Sequence, residues 1–177
     1  MKQTVLRYGG YAFLFLAVFF IITWIFFGGA TEKNFEAREV VGYLAIFLST
    51  LFVFFGLKHY RDKVNSGLMS FGQGLKLGLL IVLFPSLAFG LLNAVYVLVI
   101  DPSFVDTYYN YQVEQMKAST PVEKFAEKLK EMEDQKKMFS NPVVGSLLMF
   151  ITVFAVGLIV SVISALVLKR TSKPTLN

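Results

Sequence analysis

The sequence predicts an all-α fold: a four-helix transmembrane bundle with an extramembrane helical hairpin between the third and fourth spans. Three observations lead there. Hydrophobic residues make up 55% of the 177 positions and charged residues only 16%, whereas soluble domains carry roughly 45–50% and about 25%. Four uncharged apolar runs are long enough to cross a hydrocarbon core of roughly 30 Å, which takes about 20 helical residues. The charged residues gather between those runs, in the largest number over 101–142. A single integral membrane domain, 1–177, accounts for the whole chain.

The first span, about 8–27, covers Tyr8 to Phe27 with no ionisable side chain other than tyrosine. Lys2 and Arg7 precede it and Gly28-Gly29-Ala30 follows, as around a signal peptide. The run exceeds the roughly 7–15 apolar residues of a secretory signal. It reads as a retained span. The second span, about 40–57, is 18 residues long, near the lower limit. The third, about 72–100, includes the 24 uncharged residues Leu77 to Ile100. Ser70 followed by Gln73 has the spacing of a capping box, which starts this helix near Phe71. Pro85 removes one backbone donor inside it, so a kink is expected there. The fourth, about 143–168, follows Asn141-Pro142, a capping residue with proline at the first helical position.

Lipid cannot satisfy a free backbone N–H or C=O, so these runs must be helical. Outer-membrane strands would alternate apolar and polar residues. Leu79-Leu80-Ile81-Val82-Leu83-Phe84 does not alternate.

The hairpin occupies about 102–139. Asp101-Pro102 reads as a cap opening its first helix, with Val105, Tyr109, Val113 and Met116 on one face. Thr120-Pro121-Val122-Glu123 reads as a capping box opening the second. There Val122, Phe125, Leu129, Met132 and Phe139 keep heptad spacing, and Lys136 takes the one apolar place left over. The opposite face is charged, and Glu133 with Lys137 is spaced as an i,i+4 pair. Packing between the two helices explains the stripe; a membrane surface or a partner protein would explain it too.

Charge predicts orientation. If both termini are cytoplasmic, Lys2, Arg7, Lys58, Arg61, Lys63, Lys76, Lys169, Arg170 and Lys173 lie inside, opposed only by Asp62. These are nine basic residues in 35 positions, against eight in 54 outside. The denser side is the cytoplasmic one. The net charge of +5 then follows from topology, and no nucleic-acid partner is implied. The expected location is a bacterial inner (cytoplasmic) membrane, with the lipid bilayer as the first partner.

Ionisable residues inside a bilayer mark relays and ion pathways. The interiors of the four runs hold none, which argues against a proton relay, an ion-coupled transporter and an intramembrane aspartyl protease. Asn93 is the strongest polar group there, and interhelical hydrogen bonding explains it better than substrate contact. Gly74 with Gly78, and Gly157 with Ser161 and Ala165, form small-residue stripes that let helices approach closely. Packing within the chain is the simpler reading and a homo-oligomer through Gly157, Ser161 and Ala165 the other. His59 is the only histidine and there is no cysteine, so no metal site is expected. Lys58, Arg61 and Lys63 could meet anionic headgroups, and Phe104, Tyr108, Tyr109 and Tyr111 read as an aromatic belt. Nucleotide-binding, hydrolase and calcium-loop signatures are missing. No catalytic, cofactor-binding or metal-ligating residue is assigned, and the sequence does not point to an enzyme.

Gly67-x-x-Ser70-Phe71-Gly72-Gln73-Gly74-x-Lys76-x-Gly78 resembles the signature of a bacterial membrane family, domain of unknown function 4199. Asp101-Pro102, Asn141-Pro142 and Gly157-Leu158-Ile159-x-Ser161-x-Ile163-Ser164-Ala165 match it in the same order. The resemblance spans nearly the whole chain. It implies a compact four-helix inner-membrane protein, found mainly in Bacteroidota, with a helical outer loop; it carries over no catalytic residue. The contrast between an uncharged core and a patterned hairpin suggests a non-enzymatic envelope protein that interacts through 102–139. The alternative is a small channel or transporter subunit for an uncharged or lipidic solute, motivated by the stripes, Pro85 and Asn93.

Overall fold

The computed structural model describes residues 1–29, 31 and 33–171. Ala30 and Lys173, used in the signal-peptide and charge arguments, lie outside the described residues. Among the described residues six α-helices are formed: α1 (Lys2–Phe27), α2 (Phe35–His59), α3 (Phe71–Val95), α4 (Phe104–Ser119), α5 (Val122–Ser140) and α6 (Pro142–Leu168). A π-helical turn extends α2 to Val64 and another extends α3 to Ile100. With these turns, α1, α2, α3 and α6 are long and apolar enough to cross a membrane. They turn large apolar side chains outward, Ile25, Phe26, Val99 and Val167 among them. Lipid solvates such a surface; water would not. The chain is an integral membrane protein of four spans.

The helices reach beyond the apolar runs that announced them. α1 starts at Lys2 and α2 at Phe35, so the first connection is shorter than the polar stretch 28–39. α3 starts at Phe71 as its capping box requires. The Gln73 amide donates to Ser70 Oγ at 3.3 Å, and the Ser70 amide donates to Gln73 Oε1 at 3.0 Å. Helix α3 continues through Pro85, which is buried. Asn141 caps α6 by accepting from the amides of Val143 and Val144 at 3.0 and 3.2 Å.

Two expected caps are corrected. α4 begins at Phe104 with Ser103, not Asp101, in the capping position and no side-chain cap; the Asp101 carboxylate accepts from Ser103 Oγ at 2.7 Å, and its carbonyl accepts from the Phe104 amide. α5 begins at Val122 with Pro121 in the capping position and no side-chain cap, so the Thr120–Glu123 box does not form. Lys137 also chooses differently, pairing with Asp134 at 3.0 Å, one residue closer than Glu133.

α3 is central, packing on α1, α2 and most extensively on α6. The α3–α6 contact runs antiparallel through the small residues. Gly74 meets Ala165, Gly78 meets Ser161, and Gly157 meets Val82, with neighbours so close that an added Cβ would crowd or overlap them. Ser161 and Ala165 are fully buried in this contact. The stripe serves packing within the chain, where van der Waals contact substitutes for a hydrophobic drive that lipid removes.

The packing is uneven along the bundle. One end holds the main core of Val53, Leu57, Met69, Leu77, Ile81 and Val82, with Ala165 and Leu168. It is tied by a two-bond bridge between Met69 and Arg170 (2.9 and 2.8 Å), while Arg61 donates to the Leu168 carbonyl at 3.4 Å. The other end is hollow.

A candidate binding cavity beneath the α4–α5 pair

The hollow end forms a half-open cavity of about 580 Å³, well within the roughly 300–1,000 Å³ of small-molecule sites. Leu16 and Ala45 line its deep end and belong to a small buried cluster with Ala88. Leu16 lies about 16 Å inside the end of α1 at Phe27, given a rise of about 1.5 Å per residue. Phe19, Phe20, Phe89 and Leu92 form its apolar walls, and Tyr109, Met132, Lys136 and Phe139 line it from α4 and α5. Those two helices are the most polar in the chain, yet their inward faces are half-buried. Of the stripe on α5, Phe125, Leu129, Met132, Lys136 and Phe139 are half-buried, whereas Val122 is 91% exposed.

An aromatic cluster closes one side. Phe35, 4% exposed, lies 5.0 to 6.1 Å from the rings of Phe104, Tyr108 and Tyr111. Tyr96 meets Phe104 edge-on at 5.1 Å and Phe20 at 5.9 Å. Of the tyrosines read as an aromatic belt, Tyr108 and Tyr111 converge on Phe35, while Tyr109 meets Lys136. Edge-on pairs of this kind add about 0.5–1.5 kcal/mol beyond the area they bury. Burial pushes the Tyr108 phenol above the ordinary tyrosine range, opposed by Gln112, whose amide donates to its oxygen at 2.7 Å.

The π turn of α3 brings Tyr96 to this cluster. There the Asp101 amide donates to the Tyr96 carbonyl at 2.8 Å, the longer i→i+5 reach that marks such turns. They occur often at functional positions. Tyr96 and Val97, both in the turn, line the cavity.

Few polar groups face the space. Thr23 and Thr152 spend their hydroxyls on their own helices, donating to the carbonyls of Phe19 and Leu148. Asn93 donates to Ser146 Oγ on α6 at 3.4 Å, the interhelical bond expected of it, and also lines the cavity. Both readings of Asn93 are compatible. Arg38, half-buried on the first turns of α2, donates to the Gly28 carbonyl at 2.7 Å and to the Tyr96 hydroxyl at 3.2 Å. Its guanidinium lies 5.8 Å from the Tyr96 ring centre. Lys136 lies 4.6 Å from the Tyr109 ring centre and pairs with Asp106 at 2.7 Å. Glu39 is the one carboxylate of the lining, which includes no histidine, serine or cysteine. Apolar contact, hydrogen bonding and positive charge are what it offers.

Arg38, Phe35 and Tyr96 were not singled out in the sequence. Phe35 and Arg38 sat in what read as a polar connection, and Tyr96 in an uninterrupted apolar run. His59, by contrast, lies at the packed end beside Tyr8, ring centres 5.6 Å apart, far along the chain from any lining residue. Among the described residues no group of three His, Cys, Asp or Glu side chains is placed to hold a metal ion.

The fold thus defines a helical, four-span membrane protein with a cavity at one end. Residues 7–170 match the family described as Protein of unknown function (DUF4199), and the chain belongs to that family. No curated protein and no solved structure matches it.

Proposed function

We propose that this is a non-enzymatic membrane protein that holds an apolar or amphipathic molecule in the cavity beneath α4 and α5. The observation that carries the reading is the cavity: aromatic and aliphatic walls running about 16 Å into the bundle at a 1.5 Å rise per residue, with its charged groups, Arg38, Glu39 and Lys136, confined to the first turns of α2 and to α5. Ligand sites are built this way, from apolar walls with a few placed polar groups. The α5 stripe supports it as well, since Met132, Lys136 and Phe139 are turned into the cavity rather than offered outward. In this reading α4 and α5 form an external roof over a bacterial inner-membrane bundle whose termini are both cytoplasmic. The basic residues Lys58, Arg61, Lys63 and Arg170 at the opposite end favour that orientation.

A diazirine-bearing hexadecanol in phosphatidylcholine nanodiscs tests the reading. Labelling should map to Leu16, Phe19 and Phe89, and Gly42→Phe should suppress it. Gly42 lines the cavity, and a Cβ there would meet no atom within 4 Å. Labelling confined to outward residues such as Ile25 and Phe26 would refute it. A second reading, docking of an envelope protein on α5, rests on the exposure of Val122 and Met138. Photo-crosslinkers at those two positions would capture such a partner in living cells.

A further inference from the structure

We infer that the cavity takes a single-chain amphiphile with an anionic oxyanion headgroup, bound by Arg38. This rests on the cavity reading above and adds the chemistry of the headgroup. Arg38 is a half-buried cation on the cavity wall with no carboxylate partner among the described ion pairs. Its hydrogen bonds go to two neutral oxygens, the Gly28 carbonyl and the Tyr96 hydroxyl. Taking a charge out of water is costly unless an opposite charge and hydrogen bonds replace the water. Neutral acceptors return only part of that cost. A guanidinium also has more donors than these two bonds use, arranged as a planar fork that matches a carboxylate or phosphate.

The surroundings favour an anion there. Arg38, Lys136 and one carboxylate, Glu39, line the cavity, and Lys136 is already paired with Asp106, so Arg38 is the lining cation left to meet an anion. The Tyr96 hydroxyl accepts from the guanidinium, whose carbon lies 5.8 Å from the ring centre, and this holds the fork in place. The apolar walls continue from this end toward Leu16 and Ala45, so a headgroup at Arg38 leaves its chain among phenylalanines. Arg38 and Phe20 both touch Tyr96, one through its hydroxyl and the other through its ring. Head and tail sites are adjacent.

The experiment compares palmitate with hexadecanol, which share a chain length and differ in headgroup charge, as competitors of the diazirine probe in phosphatidylcholine nanodiscs. Palmitate should compete at about tenfold lower concentration, the order expected of a charge-assisted hydrogen bond. Arg38→Gln should bring the two competitors to equal potency. Hexadecyl phosphate, tested alongside, tells a phosphate headgroup from a carboxylate by which competes better. Equal potency of palmitate and hexadecanol on the wild-type protein overturns the headgroup inference and leaves the cavity reading standing. Absence of any cavity labelling removes both. The wild-type comparison needs no variant to fold.

Discussion

A Cβ added to Gly78 on α3 would lie 2.8 Å from both Cβ and Oγ of Ser161 on α6. The helices therefore touch backbone to side chain, and Gly78→Ala must push them apart. Overpacking of this kind costs about 1–3 kcal/mol. Ser161→Gly in the same chain should return part of that loss, because the two residues are in contact and couple. Gly42→Ala is the contrast, since its added Cβ meets nothing; better helix propensity should leave it neutral or stabilising by up to about 1 kcal/mol. Unfolding by SDS titration in mixed micelles reads all three variants. Equal losses for Gly78→Ala and Gly42→Ala would show that helix separation is not what Gly78 protects.

Capping separates in the same way. Ser70→Ala removes one half of a closed capping box and Asn141→Ala removes an acceptor of two amides. Each should cost about 1 kcal/mol. The Thr120 side chain makes no cap on α5, and its amide, which closes α4 onto the Met116 carbonyl, survives truncation, so Thr120→Ala should stay within about 0.5 kcal/mol, the range of surface changes. A loss at Thr120 comparable to that at Ser70 would contradict the assigned start of α5.

The difference between these caps shows what a sequence makes legible. Spans, the Ser70 box, the Asn141 cap and the small-residue stripes depend on local spacing or on lipid's demand for closed backbone bonds. They were readable from one strand of text. The cavity was not, because it is a deficit of packing among residues from six helices. Phe35 and Arg38 lie near charged neighbours in the chain, and only the fold brings them against Tyr96 and Tyr108, about sixty residues or more downstream. Asn93 sits between these cases: its polarity stood out in the apolar run, but its place on a cavity wall needed α6.

Phe35 should be the most costly single truncation at the hollow end. It is 4% exposed and touches three aromatic rings. Phe35→Ala should cost roughly 3–5 kcal/mol, the range for buried phenylalanine. Phe26 is 83% exposed, so truncating it removes the same atoms without leaving a hole. Phe26→Ala should change stability by less than about 0.5 kcal/mol. Equivalent effects would mean that the Phe35 cluster is not a packed unit.

Lys136 fills the one polar place in the α5 stripe, and its pairing with Asp106 and Tyr109 makes it a clasp between α4 and α5. Asp106 is 66% exposed, so the ion pair itself contributes little, about 0–1 kcal/mol. The cation over the ring adds about 0.5–1 kcal/mol. Lys136→Leu, which completes the apolar stripe, should therefore hold the helices about as well as lysine. Lys136→Glu faces Asp106 with a like charge and should open them. Limited proteolysis at 119–121 follows the opening, and faster cleavage is expected for glutamate alone. Faster cleavage of both variants would assign the clasp to the ammonium rather than to the stripe.

The orientation of the bundle has its own test, made simple by the absence of cysteine from the sequence. Lys130 lies exposed on α5 and Lys63 lies exposed beyond the packed end, so each accepts a cysteine without disturbing a core. An impermeant maleimide added to spheroplasts should label Lys130→Cys at once and Lys63→Cys only after permeabilisation. Physical chemistry sets that direction, since basic loops resist translocation and Lys58, Arg61, Lys63 and Lys76 crowd one connection. The reverse pattern would place the cavity end in the cytoplasm. An amphiphile would then be drawn from the inner leaflet, where anionic lipids attract basic residues, and Arg38 would face a different pool of headgroups. The labelling therefore settles which leaflet supplies the cavity before any ligand is identified.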